Sequence, residues 1–258
     1  MIKAVFFDID GTLVSFKTHV IPQSTLDALA ALREKGIKVF IATGRHFRSI
    51  NNLGDQVFDG YVTLNGGRVL VGTDHVIYKQ RIPDEDIQAL FRYWEEEGMF
   101  PCSFVFEDEL LMNYRDDAAD EIFQLLNFPV PPIRPIEEMK GREVFQLIAF
   151  FTDEQEQQIM KELPHCDSTR WSSLFTDVVP AGISKRVGID KMLEHFHIGL
   201  DECMAFGDGG NDIQMLSHVG LGVAMGNAAD DVKDVADYVT DSVDDDGIYK
   251  ALKHFKVI

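Results

Sequence analysis

The sequence predicts an α/β protein in which a doubly wound parallel sheet is interrupted by an inserted α+β segment. Three observations lead to this fold class. Short apolar runs alternate with amphipathic stretches near both ends of the chain. These runs are apolar throughout, as in strands that helices cover on both faces. Between them, from about residue 81 to residue 180, hairpin-like pieces replace the alternation.

The elements of the first section follow in order. The apolar run from Lys3 to Phe7 predicts a buried strand. Ser24 can cap a helix whose leucines recur at helical spacing and which Gly36 ends. Ile37 to Ala42 predicts a second buried strand, followed by Thr-Gly-Arg, and Tyr61 to Leu64 predicts a third, followed by Asn-Gly-Gly.

The alternation of helices and strands resumes in the last third of the chain. The predicted helices are Lys185 to His197, Asn211 to Ser217, Ala228 to Ala236 and a terminal helix after the run DDDG. The predicted strands are Cys203 to Phe206, Val219 to Ala224 and Tyr238 to Thr240.

The middle of the chain has a different pattern. SFVFEDELLMNY predicts two strands around a tight acidic turn, and the proline-rich FPVPPIRPIEEM predicts a loop. REVFQLIAFF predicts a strand followed by the helix DEQEQQIMKEL, and WSSLFTDVVP predicts another strand. We therefore expect a Rossmann-like core domain of residues 1–80 and 181–258, and an α+β domain of residues 81–180 inserted into it.

Composition excludes several classes of protein. The net charge is −19 and no cluster of lysine and arginine offsets it, so nucleic acid and anionic membranes are poor partners. No apolar run approaches the length of about 20 residues that spans a membrane, and the first residues do not have the form of a signal peptide. The three cysteines form no CxxC motif, which favours a reducing compartment. We expect a cytoplasmic protein that binds neither nucleic acid nor membranes.

Polar side chains stand where the predicted parallel strands end. Asp8 and Asp10 follow the first strand, Thr43 the second, Asn65 the third, and Asp208 to Asp212 a later one. Ligands of open α/β sheets bind outside the carboxyl ends of the strands, so these residues can converge. Two carboxylates held close together repel each other, and a bound cation would offset their charge.

The residue types suit phosphoryl transfer. Asp8, Asp10 and Asp208 offer hard oxygen ligands without a neighbouring His or Cys, which suits Mg²⁺. An aspartate beside Mg²⁺ can attack a phosphoryl group and form an aspartyl-phosphate. The phosphoryl oxygens need donors and positive charge, which the Thr43 hydroxyl, the Lys185 ammonium and the backbone N–H groups after Asp8 can supply. Asp10 can protonate the leaving alcohol and deprotonate the following water.

The order of these motifs resembles the haloacid dehalogenase (HAD) superfamily of phosphotransferases. DIDGT follows the first strand, a threonine the second, a lysine precedes a later helix, and GDGGND follows a further strand. The resemblance covers essentially the whole chain. The insertion between Thr-Gly-Arg and Gly-Ile-Ser-Lys is similar to the C2-type (IIB) cap of the Cof-like sugar phosphatases, and DDDGIYKAL is similar to their C-terminal stretch.

The resemblance implies roles for the acidic residues. Asp8 would be the nucleophile and a ligand of Mg²⁺. Asp10 would be the general acid and base and would bind Mg²⁺ through its backbone carbonyl. Asp208 would be the third protein ligand, and Asp212 would orient a metal-bound water or Lys185.

The resemblance also implies how the phosphoryl group is held. Thr43, the Gly44 N–H and the loop amide of Ile9 would bind it, Lys185 would neutralise it, and Asn211 would contact the phosphate.

Two further residues are candidates for substrate binding. Arg45 can clamp a substrate anion through two hydrogen bonds, or it is a surface arginine that opens a helix. Asn65 can contact the substrate, or it is a turn residue that tolerates a left-handed conformation.

We therefore expect a Mg²⁺-dependent phosphatase of small phosphorylated metabolites, above all sugar phosphates. The inserted domain would close over the core as a cap and read the leaving group. Related C2-capped phosphomutases use the same core motifs, so a sugar phosphomutase stays an alternative. A non-catalytic protein that binds phosphometabolites is a second alternative, against which the presence of Asp8, Asp10, Lys185 and Asp208 argues. A signalling receiver would not explain the insertion or the length. Because a capped site built from one chain needs no partner, we expect a monomer.

Overall fold

The computed structural model describes residues 1–258, except for the side chain of Trp171. The chain divides into two compact units. The core unit is Met1–Tyr78 with Ser184–Ile258, and the inserted unit is Lys79–Ile183. Within the described chain, every helix is too short or too polar to cross a membrane.

Strands and helices are numbered along the chain. The strands are β1 (Ala4–Phe7), β2 (Lys38–Ala42), β3 (Gly60–Thr63), β4 (Arg68–Val71), β5 (His75–Lys79), β6 (Cys102–Val105), β7 (Leu110–Met112), β8 (Gln146–Ala149), β9 (Cys166–Ser172), β10 (Phe175–Pro180), β11 (Cys203–Gly207), β12 (Leu221–Ala224) and β13 (Tyr238–Val239). The helices are α1 (Gln23–Glu34), α2 (Asp84–Glu97), α3 (Asp117–Leu125), α4 (Asp153–Glu162), α5 (Lys185–Phe196), α6 (Ile213–Leu216), α7 (Asp230–Val235) and α8 (Gly247–His254).

The core unit is built on an eight-stranded sheet. Its strand order is β13-β12-β11-β1-β2-β3-β4-β5. From β13 to β3 neighbouring strands run parallel, whereas β4 runs antiparallel to β3. The tight turn at residues 64–67 leaves no room for the crossover that a parallel neighbour needs. The predicted α/β class is confirmed, but the sheet is mixed rather than wholly parallel.

The side chains of the central strand β1 pack on both faces of this sheet. All four of its residues are fully buried. Val5 and Phe7 belong to the apolar cluster that includes residues of α1 and α8. Ala4 and Phe6 point the other way, into the cluster that includes residues of α5, α6 and α7. Because successive side chains of a strand alternate between its faces, an unbroken apolar run is what a sheet covered on both sides requires.

The inserted unit is α+β, as the hairpin-like sequence pattern predicts. Its five-stranded sheet has the order β7-β6-β8-β10-β9, and its paired strands are antiparallel. Residues of α2 and α4 share one apolar cluster with one face of the sheet, including Phe104 and Leu147. Residues of α3 form a second cluster with Met112 and Phe175.

Several predicted boundaries are wrong. Ser24 does not cap α1, because the helix begins at Gln23 directly after Pro22 and has no side-chain cap. The helix predicted from Asn211 to Ser217 is a 3₁₀ turn, Gly210–Asp212, followed by the short α6.

The segment WSSLFTDVVP is not one strand. It contains the turn of a hairpin, since β9 ends at Ser172 and β10 begins at Phe175. Strand β9 is mostly polar, CDSTRWS, and therefore lacks the apolar run by which the other strands were predicted. The sequence interpretation also missed β4, β5 and α2.

Candidate active site

The site forms where β1, β2 and β11 end. Phe7, the last residue of β1, pairs with Ile41 of β2 and with Phe206 of β11. The N–H of Asp8 donates to the carbonyl of Phe206 at 3.0 Å, so Asp8 continues the line of β1 for one more residue. Asp208 follows the end of β11, which brings residues two hundred positions apart to one edge of the sheet.

Lys185 lies between two carboxylates. Its Nζ donates to Oδ1 of Asp8 and to Oδ1 of Asp212, both at 2.6 Å. The lysine side chain and that of Asp212 are fully buried, and that of Asp8 is 10% exposed. Burial strengthens charge-assisted hydrogen bonds, so this triad fixes all three side chains.

The second carboxylate oxygen of Asp212 binds the loop after β11. Oδ2 accepts hydrogen bonds from the backbone N–H groups of Asp208 and Gly209, both at 2.9 Å. A Cβ on Gly207 would lie 2.5 Å from the Asp212 carboxyl carbon, so this glycine is what lets the carboxylate approach the backbone. Asp212 therefore orders the loop after β11 as well as Lys185.

Two glycines bring the first turn of α5 close to β3. A Cβ on Gly188 would lie 2.3 Å from Cγ1 of Val62. Gly66 has φ +100°, and a Cβ there would lie 2.0 Å from the carbonyl oxygen of Ser184. The backbone of α5 thus packs directly on β3 and the turn after it, which places Lys185 in the site.

Two residues that the sequence interpretation missed hold Asp208. The Thr12 hydroxyl donates to Oδ1 at 2.7 Å. The Asn227 amide donates to Oδ2 at 3.2 Å and to the carbonyl of Gly11 at 2.9 Å. Thr12 is the threonine of DIDGT, and Asn227 follows β12, so the rule that found the other candidates would have found both.

Asp8, Asp208 and Asp212 form a cluster that can hold a metal ion. One carboxylate oxygen of each lies within 4.8 Å of the others. The donors are all hard oxygens, which suit Mg²⁺ better than a softer metal. The sequence analysis expects the backbone carbonyl of Asp10 as a ligand, with Asp212 orienting a metal-bound water or Lys185. The Asp10 carboxylate lies outside the cluster, and the role of its carbonyl stays a prediction.

Burial and the neighbouring charges shift the pKa values of the ionisable groups in the site. Burial, with the neighbouring carboxylates of Asp212 and Asp10, raises the pKa of Asp8 to about 7 against the effect of Lys185. Burial, with the charge of Asp8, raises the pKa of Asp208 well above its ordinary value. Burial would lower the pKa of Lys185, but the two carboxylates raise it, so the lysine stays charged. The site has an excess of negative charge that a cation would offset.

Arg45 does not reach into open space. It is buried, and its Nε and Nη2 each donate to one oxygen of Asp10 at 2.7 Å. It also donates through Nη1 to the carbonyl of Ser49 at 3.1 Å. The expectation of a surface arginine is therefore wrong, and the bidentate clamp that the sequence suggested for a substrate anion holds Asp10.

The remaining candidates line the loops after β2 and β3. Thr43 is buried, and its Oγ1 accepts the N–H of Arg45 at 3.1 Å, which orders the loop containing the half-buried Gly44. Asn65 has φ 52°, so it is the left-handed turn residue, and its side chain also accepts a hydrogen bond from Asn211 at 2.9 Å.

Ile9 is fully buried, and its carbonyl accepts the N–H groups of Thr12 and Val14. These two hydrogen bonds fold the segment after Asp8 into a compact loop beside the nucleophile candidate.

Comparison with known proteins assigns the family. A family model described as haloacid dehalogenase-like hydrolase matches residues 5–252. A protein of Bacillus subtilis (strain 168), YkrA, whose name assigns it provisionally as a phosphatase, is 37% identical over 99% of this chain and 98% of its own length. An HMP-PP phosphatase of Yersinia pseudotuberculosis is 32% identical over 90% of this chain and 87% of its own length.

The solved structure of the HAD subclass IIB sugar phosphatase BT4131 superposes with a TM-score of 0.93. It is 47% identical and covers 99% of this chain and 100% of its own length. The fold, the acidic cluster at the strand ends and these relatives agree. This chain therefore belongs to the haloacid dehalogenase-like hydrolases, as a phosphatase.

Proposed function

We propose that the protein hydrolyses the phosphate monoesters of small metabolites, sugar phosphates above all, through an aspartyl-phosphate on Asp8 and with Mg²⁺ bound. The observation that supports this most strongly is the position of Asp8. Its carboxylate ends the central strand beside a buried, charged lysine and two further carboxylates. A lysine at 2.6 Å from the attacking group is also close to where phosphoryl oxygens would lie.

The chain's own groups can carry both halves of the reaction. One oxygen of Asp8 attacks phosphorus, the ester P–O bond breaks, and the leaving alkoxide takes a proton from Asp10. A water molecule then attacks the phosphorus of phospho-Asp8, gives its proton to Asp10, and the P–O bond to Asp8 breaks. Inorganic phosphate leaves and Asp8 is regenerated.

Asp10 must therefore carry a proton in the first half and lack one in the second. In the structure both of its oxygens accept hydrogen bonds from Arg45, an arrangement that fits the ionised form and thus the base step. For the acid step, one oxygen has to leave Arg45 and take up a proton. Arg45 is accordingly a positioning residue for Asp10 in this proposal.

The oxygen donors of Asp8, Asp208 and Asp212 fit Mg²⁺. When bound, the ion offsets the negative charge of the acidic cluster and of the incoming phosphate. Thr12 and Asn227 hold the Asp208 carboxylate in place for this role.

The substrate class follows from similarity rather than from geometry. The sugar phosphatase structure is 47% identical to this chain, and the HMP-PP phosphatase is 32% identical. We therefore favour sugar phosphates over HMP-PP. The names of these relatives support hydrolysis over a mutase reaction. Cap function of the inserted unit, a monomeric state and a cytoplasmic location stay predictions; the three cysteines are free and buried, in keeping with the last.

The test is phosphate release from a panel of sugar phosphates and HMP-PP, with Mg²⁺ and with EDTA. Asp8→Asn is the test variant, and Asp27→Asn, which changes an exposed aspartate of α1, is the matched control. We expect Mg²⁺-dependent release by the wild type and the control, and less than about 10⁻³ of that rate from Asp8→Asn. Acid quenching during turnover should yield a phosphorylated peptide that contains Asp8.

Each result has a definite meaning. An Asp8→Asn variant that turns over normally would refute the nucleophile. Release in EDTA equal to that in Mg²⁺ would refute the metal requirement. Transfer between sugar hydroxyls without release of inorganic phosphate would replace hydrolysis by the mutase reaction.

A further inference from the structure

A second group of metal-binding side chains lies in the inserted unit, apart from the acidic cluster of the core. It consists of Glu85 and Asp86 in the first turn of α2 and His165 just before β9. One ligand atom from each lies within 4.8 Å of the others. Nothing in the proposed phosphatase reaction uses these residues.

The spacing of the ligand atoms is close to that of a tetrahedral zinc site. Nδ1 of His165 is 2.9 Å from Oδ1 of Asp86 and 3.4 Å from an oxygen of Glu85. Two ligands on bonds of about 2.0–2.1 Å lie about 3.3 Å apart in a tetrahedron. The observed separations differ from this value by a few tenths of an ångström. The side chains of Glu85 and His165 are 70% and 53% exposed, so they can move by that amount to bind the ion.

Asp86 is oriented as a ligand that uses one oxygen. It is buried, and its Oδ2 accepts the backbone N–H of His165 at 2.9 Å and the thiol of Cys166 at 3.3 Å. These contacts turn Oδ1 towards Nδ1 of His165. Carboxylate ligands of metals are commonly held by such outer hydrogen bonds on the oxygen that does not coordinate.

The charge of Asp86 also favours a cation. Buried carboxylates are normally paired with a positive group or bound to a metal. In the described chain no lysine or arginine forms an ion pair with Asp86, and its one ionisable cationic partner is the half-exposed His165. A divalent ion bound to Nδ1 would take the place of a proton on this nitrogen, and that proton would leave to solvent.

One imidazole nitrogen and two carboxylate oxygens are a ligand set for Zn²⁺ and not for Mg²⁺. We propose that Glu85, Asp86 and His165 form a surface Zn²⁺ site, with a water molecule as the fourth ligand. The site ties the start of α2 to the start of β9. It is separate in sequence and in chemistry from the Asp8 cluster.

The test is equilibrium dialysis of the full chain against Zn²⁺ in excess Mg²⁺, with zinc counted by elemental analysis. The variants are His165→Ala and Glu85→Gln. His218→Ala is the matched control, because Nε2 of that histidine contacts a single carboxylate, that of Asp190, at 2.6 Å. Zinc held by the Asp8 cluster is common to all four proteins and cancels in the comparison.

We expect the wild type and His218→Ala to hold one more zinc ion per chain than His165→Ala. The affinity in His165→Ala should fall by more than the roughly 10- to 100-fold that loss of an outer partner causes, and Glu85→Gln should weaken binding as well. Circular dichroism checks that the variants are folded. Equal zinc content in the wild type and His165→Ala would overturn the proposal and leave a hydrogen bond between Asp86 and His165 as the whole role of this cluster.

Discussion

Replacing Lys185 by methionine tests whether this buried ammonium holds the site together. The change keeps an unbranched side chain, one heavy atom shorter and uncharged, and removes both 2.6 Å hydrogen bonds. Asp8 and Asp212 would then lie close together without their cation. Removing one partner of a buried ion pair costs about 3–5 kcal/mol of unfolding free energy, because it leaves an uncompensated charge. For a unit of this size that corresponds to a fall in Tm of roughly 6–20 °C.

The loss of unfolding free energy in Lys185→Met should depend on pH and on the Mg²⁺ concentration. The pKa of Asp8 is already about 7, and it rises further when Lys185 is gone, because the lysine lowers it. Below that pH the carboxyl takes up a proton and the repulsion falls. The destabilisation should therefore be largest near pH 8 and smaller near pH 6. Saturating Mg²⁺ should restore part of the stability, since an ion that binds the folded cluster and not the unfolded chain favours the folded state.

Thermal and urea unfolding in EDTA, followed by circular dichroism, measure this effect. The control is Lys191→Met on the same helix, whose side chain is 42% exposed and lies 3.4 Å from Glu194. Exposed pairs contribute about 0–1 kcal/mol, so this variant should unfold almost as the wild type does. If Lys185→Met were as stable as Lys191→Met near pH 8, the buried triad would not stabilise the fold and the reasoning would fail.

Three further predictions concern the same site. Arg45→Met removes both hydrogen bonds to Asp10. Steady-state assays should show kcat falling about 10²-fold with KM nearly unchanged, because Asp10 is no longer positioned. A raised KM with an unchanged kcat would mean that Arg45 binds the substrate. Because burial raises the pKa of Asp8 to about 7, a proton on Asp8 competes with the cation below that pH. Calorimetry should show Mg²⁺ affinity falling by up to about tenfold per pH unit there; affinity independent of pH would contradict the raised pKa. Gly66→Ala should cost more than about 2 kcal/mol in urea unfolding, because its Cβ meets a backbone oxygen at 2.0 Å. Gly72→Ala, with φ +57° and open space around it, should cost only about 1–2 kcal/mol; the packing argument fails if the two losses are equal.

The parts of the fold that the sequence predicts best are those with one dominant physical cause. Strands β1, β2 and β11 are covered on both faces, so their apolar runs are unbroken and their ends are marked by polar residues. That pattern also predicted that Asp8 and Asp208 would meet at one edge. Strand β9 is mostly polar, and so no apolar run marked it. Serine favours the cap position because its hydroxyl can accept a hydrogen bond from the helix, and Ser24 is expected there for that reason. Helix α1 begins instead directly after Pro22.

The sequence also predicts the candidate site only in part. Motif order suggested which residues gather, and the structure brings Asp8, Asp208, Asp212 and Lys185 together. Their roles in catalysis stay predictions. The partner of Arg45 could not be predicted, because its contact with a carboxylate 35 residues earlier depends on how the loop after β2 folds back.

The hydrogen bonds that position Asp8, Lys185, Asp208 and Asp212 all join residues of the core unit. The described residues of the inserted unit supply none of them. Substitutions within residues 79–183 therefore change none of the residues that form these hydrogen bonds. The two parts of the gene can therefore diverge at different rates, because a change in the segment that encodes residues 79–183 leaves the acidic cluster and its lysine as they were inherited.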